Sequence, residues 1–176
     1  MKPARTGRDK QRWDGETRLV AGVVPIFDGE IVLVKSTDKA EYILPKGGWD
    51  IDETKAGCAK REAYEEAGVE GNILGKELVE IEFVTPKGNR CHMSIFALEV
   101  TKMLEEWPER ARRERQLFTP IEAISQLTRP GMADAIHEAQ KLGLLIKNKK
   151  AGVGKKSAEC YGEGGMCYGE KTCIIC

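Results

Sequence analysis

Three glutamates, Glu62, Glu65 and Glu66, stand at relative positions i, i+3 and i+4 in a stretch with helical patterning. At about 100° per residue, Glu62 and Glu66 fall only about 40° apart on a helical wheel, and Glu65 lies about 60° further round. Three carboxylates thus converge on one patch, where they repel unless a positive charge sits among them. Hard oxygen donors of this kind suit Mg²⁺ or Mn²⁺, with waters and phosphate oxygens completing the shell. Such a cation lowers the pKa of bound water, and a neighbouring carboxylate can orient or deprotonate that water. Taken alone, three glutamates are more often the solvated face of a surface helix. Their neighbours add further groups: Arg61 lies four residues before Glu65 and within helical reach of it, Glu53 marks the helix entrance, and Gly47-Gly48 precede both. Paired glycines let backbone turn tightly and bring amides close to a phosphate chain.

These side chains need a scaffold. The pattern predicts a helix from about Thr54 to Ala67, with Gly68 as a left-handed C-cap. Its Ala56, Ala59, Ala63 and Ala67 fall within an arc of about 80°, a small-residue stripe that lets the helix axis approach a sheet closely. Strands are predicted at Arg18 to Phe27, Ile31 to Val34 and Tyr42 to Leu44, the first two joined by an Asp28-Gly29 hairpin. Further strands are expected at Glu77 to Val84 and Arg90 to Val100. Alternation in the latter puts Arg90 and His92 on one face. The charged run Glu105 to Arg115 reads as a solvated loop. Leu117-Phe118 reads as a short strand, Pro120 opens a helix to about Leu127, and a final helix runs from about Met132 to Leu142. A mixed sheet with helices on both sides makes an α/β/α sandwich.

Composition narrows the partners. The 176 residues carry 28 Lys plus Arg against 28 Asp plus Glu, a formal net charge of zero, so no global field gathers nucleic acid. Any anionic ligand must be held by a local basic cluster. The first 12 residues are basic without an apolar run, unlike a secretory signal, and cytosolic location is the expectation.

From Gly47, the spacing to Glu53, then to Arg61-Glu62-Ala63-Tyr64-Glu65-Glu66-Ala67-Gly68-Val69, resembles the Nudix box: Gly, five residues, Glu, seven residues, Arg-Glu-(apolar)-x-Glu-Glu-x-Gly-(apolar). The resemblance implies a Nudix-type α/β/α sandwich hydrolysing a phosphoanhydride bond with Mg²⁺ or Mn²⁺. Glu62 and Glu66 would ligate metal, Glu53 would bind a further metal or brace the loop, Glu65 would be the base, and Arg61 would hold Glu65. The resemblance extends through Leu44-Pro45-Lys46-Gly47-Gly48-Trp49, Val100 to Trp107 and Arg113 to Phe118, which look like the diphosphoinositol polyphosphate phosphohydrolase family. That family's arrangement implies substrate phosphates held by Arg18, Ser36, Lys46, Gly47, Gly48, Arg90, His92, Arg113 and Arg129, with dinucleoside polyphosphates as further substrates. The rival functions are another Nudix activity, on ADP-ribose, NADH or capped RNA, and a non-catalytic module that binds a phosphorylated ligand. The expected organisation is an irregular segment over 1–16, a Nudix domain over 17–145 and a disordered Lys/Gly/Cys-rich tail over 146–176. The tail ends in Cys173-Ile174-Ile175-Cys176, which has the form of a prenylation box; lysines upstream would add an electrostatic membrane signal. A zinc knuckle and an inert tail are its other readings, the first disfavoured by irregular cysteine spacing and the absence of a nearby histidine.

Overall fold

The computed structural model describes residues 3–37, 40–85, 87–129 and 131–146. The tail beyond 146, with the expectations of disorder and of lipidation at Cys173, lies outside the described residues.

Among the described residues, one eight-stranded sheet organises the fold. Its spine is β2 (Thr17–Phe27), whose run of β-branched residues is buried almost throughout, as expected of a strand covered on both faces. The Asp28-Gly29 turn has positive φ at both residues, which matches the right-handed twist of the strands it joins, β2 and β3 (Glu30–Lys35). Strand β4 (Tyr42–Ile43) and β8 (Arg115–Phe118) both pair with β3. On its other edge β2 runs parallel to β7 (Arg90–Met103), and β7 pairs antiparallel with β6 (Val69–Val84), so the sheet is mixed as expected.

Three features depart from the sequence expectations. Strand β6 begins directly after the helix, eight residues earlier than the alternation suggested, with register shifts on the β6–β7 ladder after Glu70 and Leu74. Those irregularities break the period-two pattern that a strand is recognised by. Gly47-Gly48, expected as loop, belongs to a three-residue strand β5 (Lys46–Gly48) that pairs with Val20, Ala21 and Gly22 of β2. It supplies partners for the stretch of β2 that β3 leaves uncovered, β3 meeting β2 only at Ile26 and Phe27. Third, a two-residue strand β1 (Trp13–Asp14) lies in the segment expected to be irregular, paired with Thr17 and Arg18.

Helix α1 (Lys55–Ala67) is capped by the Thr54 hydroxyl, which accepts from the Gly57 amide, and is ended by left-handed Gly68. Ala59, Ala63 and Ala67 are fully buried, and the stripe lets α1 lie tight against β2. Helix α2 (Pro120–Gln126) starts in a Thr119/Glu122 capping box, and α3 (Met132–Lys141) buries Met132, Ala135, Ile136 and Ala139. A Cβ on Gly131, at the start of α3, would meet Ile81, whose sheet partner is Met93. A Cβ on Gly47 would run into Glu62 of α1, and Gly47 pairs with Ala21. Register assigns Ala21 and Met93 to opposite faces, so α1 covers one face and α3 the other. Among the described residues no helix is long and apolar enough to cross a membrane.

Candidate active site

The three glutamates occupy the buried flank of α1: Glu62 is 8% exposed, Glu65 6% and Glu66 4%. Carboxylates so placed need partners, and Arg61 is the main one. Its guanidinium reaches Glu53 at 2.7 and 3.0 Å, Glu62 at 2.6 Å, Glu65 at 3.2 Å and the Gly48 carbonyl at 2.8 Å. One planar cation thus ties the helix entrance, two glutamates and the glycine strand together. Burial works against the Arg61 charge, yet Glu53 and Glu62 outweigh it and its pKa is raised. Both Glu53 oxygens are held by Arg61 and one also accepts from the Asp50 amide at 3.2 Å, so Glu53 braces the loop.

Glu66 has a different set of partners. Its carboxylate accepts from the Lys46 amide at 2.9 Å and from the Arg113 guanidinium, and Arg113 also holds Glu109 at 2.7 Å. Desolvation, then the charge of Glu66, pushes the Glu62 carboxyl up to about 8. Glu66 is likewise raised, by desolvation first, against the pull of Lys46 and Arg113. Glu65 is raised by desolvation too, opposed by the Arg5 amide and then Arg61. Excess negative charge therefore persists in a dry site despite two arginines.

The donor set fits a divalent cation: Glu62 and Glu66 are hard, buried, mutually repelling oxygen ligands on adjacent turns. In the arrangement described, an arginine holds one oxygen of each, Arg61 on Glu62 and Arg113 on Glu66, and among the described residues no three His, Cys, Asp or Glu side chains are grouped as ligands of one ion.

Around this floor the sheet presents basic side chains. Lys46 pairs with Gly22 of β2, so it projects from the face opposite α1, together with Arg18 and Cys91, which share a register position. A Cβ at Gly22 would come within 2.7 Å of the Lys46 Cβ, so glycine there makes room for this lysine. Desolvation lowers the Lys46 pKa; Glu66 opposes that shift, and the nearby Arg129 and Arg113 charges add to it. Arg129 is oriented by Glu41 at 2.7 and 2.9 Å and reaches the Ser36 hydroxyl at 3.3 Å. Arg113 donates to the Lys35 carbonyl at 3.4 Å, beside Ser36. Arg18 donates to Gln11 at 2.8 Å; desolvation and then Arg8 lower its pKa. A Cβ on Gly48 would collide with Gln11 and Arg18, which is why the chain approaches so closely there.

Of the residues singled out by sequence, Arg18, Ser36, Lys46, Gly47, Gly48, Arg113 and Arg129 are brought round the glutamates. Arg90 and His92 lie on the opposite face of the sheet from Arg18 and Lys46, the face that α1 covers. Arg18 is in register with Cys91, which sends Arg90 and His92 to the other face of β7. There His92 lies 3.5 Å from Glu80 and 3.7 Å from Glu82, and Arg90 sits exposed at the end of the strand. Alternation correctly put the two on one face, but only β2–β7 register could say which face.

Two contributors were missed. The charged run 105–115 is not simply a solvated loop: Trp107 is 7% exposed, packs on Gly68 and donates from its indole to the Glu66 carbonyl at 3.1 Å. That contact satisfies a carbonyl in the last turn of α1 and anchors the loop that delivers Arg113. The N-terminal segment also reaches the site, through Gln11, Arg8 and Arg5.

Known proteins share this architecture. Residues 16–139 match the NUDIX domain family. Nudix hydrolase 12, mitochondrial, of Arabidopsis thaliana is 36% identical over 159 residues, covering 77% of this chain and 78% of that protein. Human diphosphoinositol polyphosphate phosphohydrolase NUDT4B is 36% identical over 131 residues, covering 72% of this chain and 70% of that protein. Among solved structures, a NUDIX hydrolase from Nitrosomonas europaea superimposes with a TM-score of 0.62 at 15% identity, over 71% of this chain and 89% of that one. A C. elegans Ap4A hydrolase does so with a TM-score of 0.59 at 18% identity, over 72% and 97%. Sharing that fold, and matched over most of its length at this level of identity, the chain belongs to the NUDIX domain family and is a hydrolase acting on phosphoanhydride bonds.

Proposed function

We propose that this hydrolase acts on diphosphoinositol polyphosphates, using Mg²⁺ or Mn²⁺ held by Glu62 and Glu66. The observation that carries the reading is the ring of Arg18, Lys46, Arg113 and Arg129 that surrounds two buried glutamates in a protein of zero formal net charge. Concentrating cations at one place in a neutral chain suits a compact ligand with many phosphates better than a nucleotide sugar with two. When bound, the cation would polarise a phosphoryl oxygen and make water a stronger acid. The chain's own residues do the rest. Glu65, fixed by Arg61, orients the attacking water and accepts its proton. Lys46 and Arg113, close to Glu66, neutralise charge on the phosphoryl oxygens as the anhydride bond breaks. Arg18 and Arg129, on the outskirts, hold phosphates that do not react and so fix the orientation of the one that does.

Aromatic side chains that would stack a purine are largely committed to packing. Trp49 lies under the Arg12 guanidinium at 4.4 Å, and Tyr42 and Phe118 meet edge to face at 5.0 Å. This favours an inositol-based substrate over ADP-ribose, NADH or capped RNA. The intact glutamate cluster speaks against a module that only binds. Location is proposed to be cytosolic; the mitochondrial names of the Arabidopsis relatives supply the alternative that fractionation of the tagged protein distinguishes. The test of function is Mg²⁺-dependent phosphate release from diphosphoinositol pentakisphosphate, diadenosine polyphosphates and ADP-ribose compared side by side. Highest kcat/KM on the inositol substrate is expected; a preference for ADP-ribose would overturn the substrate while leaving the hydrolase.

A further inference from the structure

The N-terminal segment wraps the loop between β5 and α1. The Arg12 amide donates to the Trp49 carbonyl at 2.7 Å and the Ile51 amide to the Lys10 carbonyl at 2.8 Å. Gln11, buried among polar neighbours, donates to the carbonyls of Arg12, Leu19 and Trp49. Ahead of these contacts the chain makes a second set. Arg5 places one guanidinium nitrogen 2.8 Å from Asp50, 2.8 Å from Asp52 and 3.9 Å from Glu53, and Lys10 joins Asp52 at 2.8 Å. The Arg5 backbone amide then donates to Glu65 Oε1 at 3.2 Å.

Glu65 is thereby held at both oxygens, Oε1 by the Arg5 amide and Oε2 by Arg61 Nη1 at 3.2 Å. Two donors on two oxygens fix the plane of a carboxylate, whereas one leaves it free to turn about that contact. The second donor comes from a chain segment with no regular structure of its own, so its position depends on what anchors it. That anchor is the Arg5 side chain, a cation set among three carboxylates of the loop that leads into α1. The same cation offsets the repulsion among Asp50, Asp52 and Glu53, and Glu53 is the residue that grips Arg61. Backbone and side chain of one residue thus close a ring: Arg5, the 50–53 loop, Glu53, Arg61, Glu65 and back to Arg5.

We infer that Arg5 is a positioning residue for the hydrolytic step, its guanidinium locking the N-terminal segment onto the 50–53 loop so that its amide sets the orientation of Glu65. The inference rests on Glu65 acting as the water-orienting base. It touches none of the residues proposed to hold substrate phosphates, so it affects turnover rather than affinity.

The test uses the full chain and the variants Arg5→Ala, Arg5→Lys, Glu65→Ala and the double variant Arg5→Ala/Glu65→Ala. Diphosphoinositol pentakisphosphate with Mg²⁺ is the substrate, assayed well below the unfolding temperature. Arg5→Ala is expected to lower kcat about tenfold, the scale of one lost orienting contact, with KM within about twofold of wild type. Arg5→Lys should recover part of that loss, and the double variant should be no slower than Glu65→Ala alone. Deuterium exchange supplies an arm independent of activity: the peptide spanning residues 3–8 should exchange faster in both single alanine variants than in wild type. Unchanged or increased kcat in Arg5→Ala would overturn the inference, an increase marking the segment as a cover over the site. A wild-type protein inert on the inositol substrate would count against the proposed function; the exchange arm then decides the inference, and unchanged exchange in Glu65→Ala refutes it.

Discussion

Replacing Glu62 with glutamine should stabilise the metal-free protein, and by an amount that grows with pH. Glu62 is 8% exposed, and burial followed by the Glu66 charge raises its pKa from the ordinary 4.5 to about 8. A raised pKa means that the folded state binds the proton more tightly than the unfolded chain does. The folded protein therefore enjoys the full contribution of this group below pH 4.5, loses it progressively as the pH climbs, and has lost it above about 8. Each unit of pH in that window costs the wild type roughly 1.4 kcal/mol, so the ceiling is about 5 kcal/mol. Glutamine keeps an oxygen that can accept from Arg61 and carries no charge, so the variant escapes the loss. In a chain of this size about 1 kcal/mol moves the unfolding midpoint by roughly 2–4 °C, and even half the ceiling gives at least ~5 °C at pH 8. The assay is thermal unfolding in EDTA at pH 5, 6, 7 and 8 for both proteins, repeated in excess Mg²⁺. Wild type should fall towards pH 8 in EDTA while Glu62→Gln stays above it, the two should converge near pH 5, and Mg²⁺ should raise wild type much more than the variant. A variant melting below wild type at pH 8 in EDTA would show that the buried glutamate is not electrostatically strained, and the argument for a cation at this site would fall with it.

Four further outcomes follow from the same geometry. Glu66→Gln should reduce turnover of any phosphoanhydride substrate by orders of magnitude at saturating Mg²⁺ with far-ultraviolet circular dichroism unchanged; steady-state kinetics near wild type would remove it from the metal set. Arg113→Ala and Arg129→Ala should each lower kcat/KM for diphosphoinositol pentakisphosphate tenfold or more, a charge-assisted contact being worth about 1.5–3 kcal/mol, and lower it much less for ADP-ribose. Arg90→Ala and His92→Ala, on the α1 face of β7 with His92 beside Glu80 and Glu82, should change neither; losses matching Arg113→Ala would extend the substrate site along that face. Trp107→Phe should cost about 1 kcal/mol through the lost indole bond to the Glu66 carbonyl, measured by urea unfolding, with a larger proportional loss in kcat than in stability because this loop carries Arg113.

How much of this could be read from the sequence depended on whether the controlling interaction was local. Helix α1 is local: its cap, its alanine stripe and its left-handed glycine all lie within 15 consecutive residues, and its predicted span differs from the observed one by a single residue. Glu62, Glu65, Glu66, Arg61 and Glu53 share that helix and its entrance, so their convergence was legible too. The Asp28-Gly29 hairpin and the Thr119 box are local for the same reason. What was not legible depended on partners far along the chain. The early start of β6 is hidden by register irregularities that exist only against β7. The strand character of Gly47-Gly48 arises because β2 has a bare edge there, a fact about β3 rather than about glycine.

The basic residues show the same division and one consequence of it. Arg18, Lys46, Arg113 and Arg129 come from four segments and meet only through strand register and the anchoring of the 104–114 loop by Trp107, whereas Arg90 and His92 carry the same charge pattern to the other face of the sheet, the one α1 covers. A resemblance could nominate them together because it compares positions, and a parallel pairing of Arg18 with Cys91 separates them because it compares directions. The N-terminal segment is the extreme case. Nothing in Arg5 to Arg12 is periodic, apolar or glycine-rich, so no local signal marks it, yet it supplies the amide that orients Glu65 and the glutamine that holds Arg18. A segment whose structure is imposed entirely by the loop it covers can only be recognised from that loop: Asp50, Asp52 and Glu53 are three acids within four residues, ahead of a helix already rich in glutamate. Such a run is electrostatically unsupported unless cations arrive from elsewhere in the chain, and Arg5 and Lys10 are among those that do.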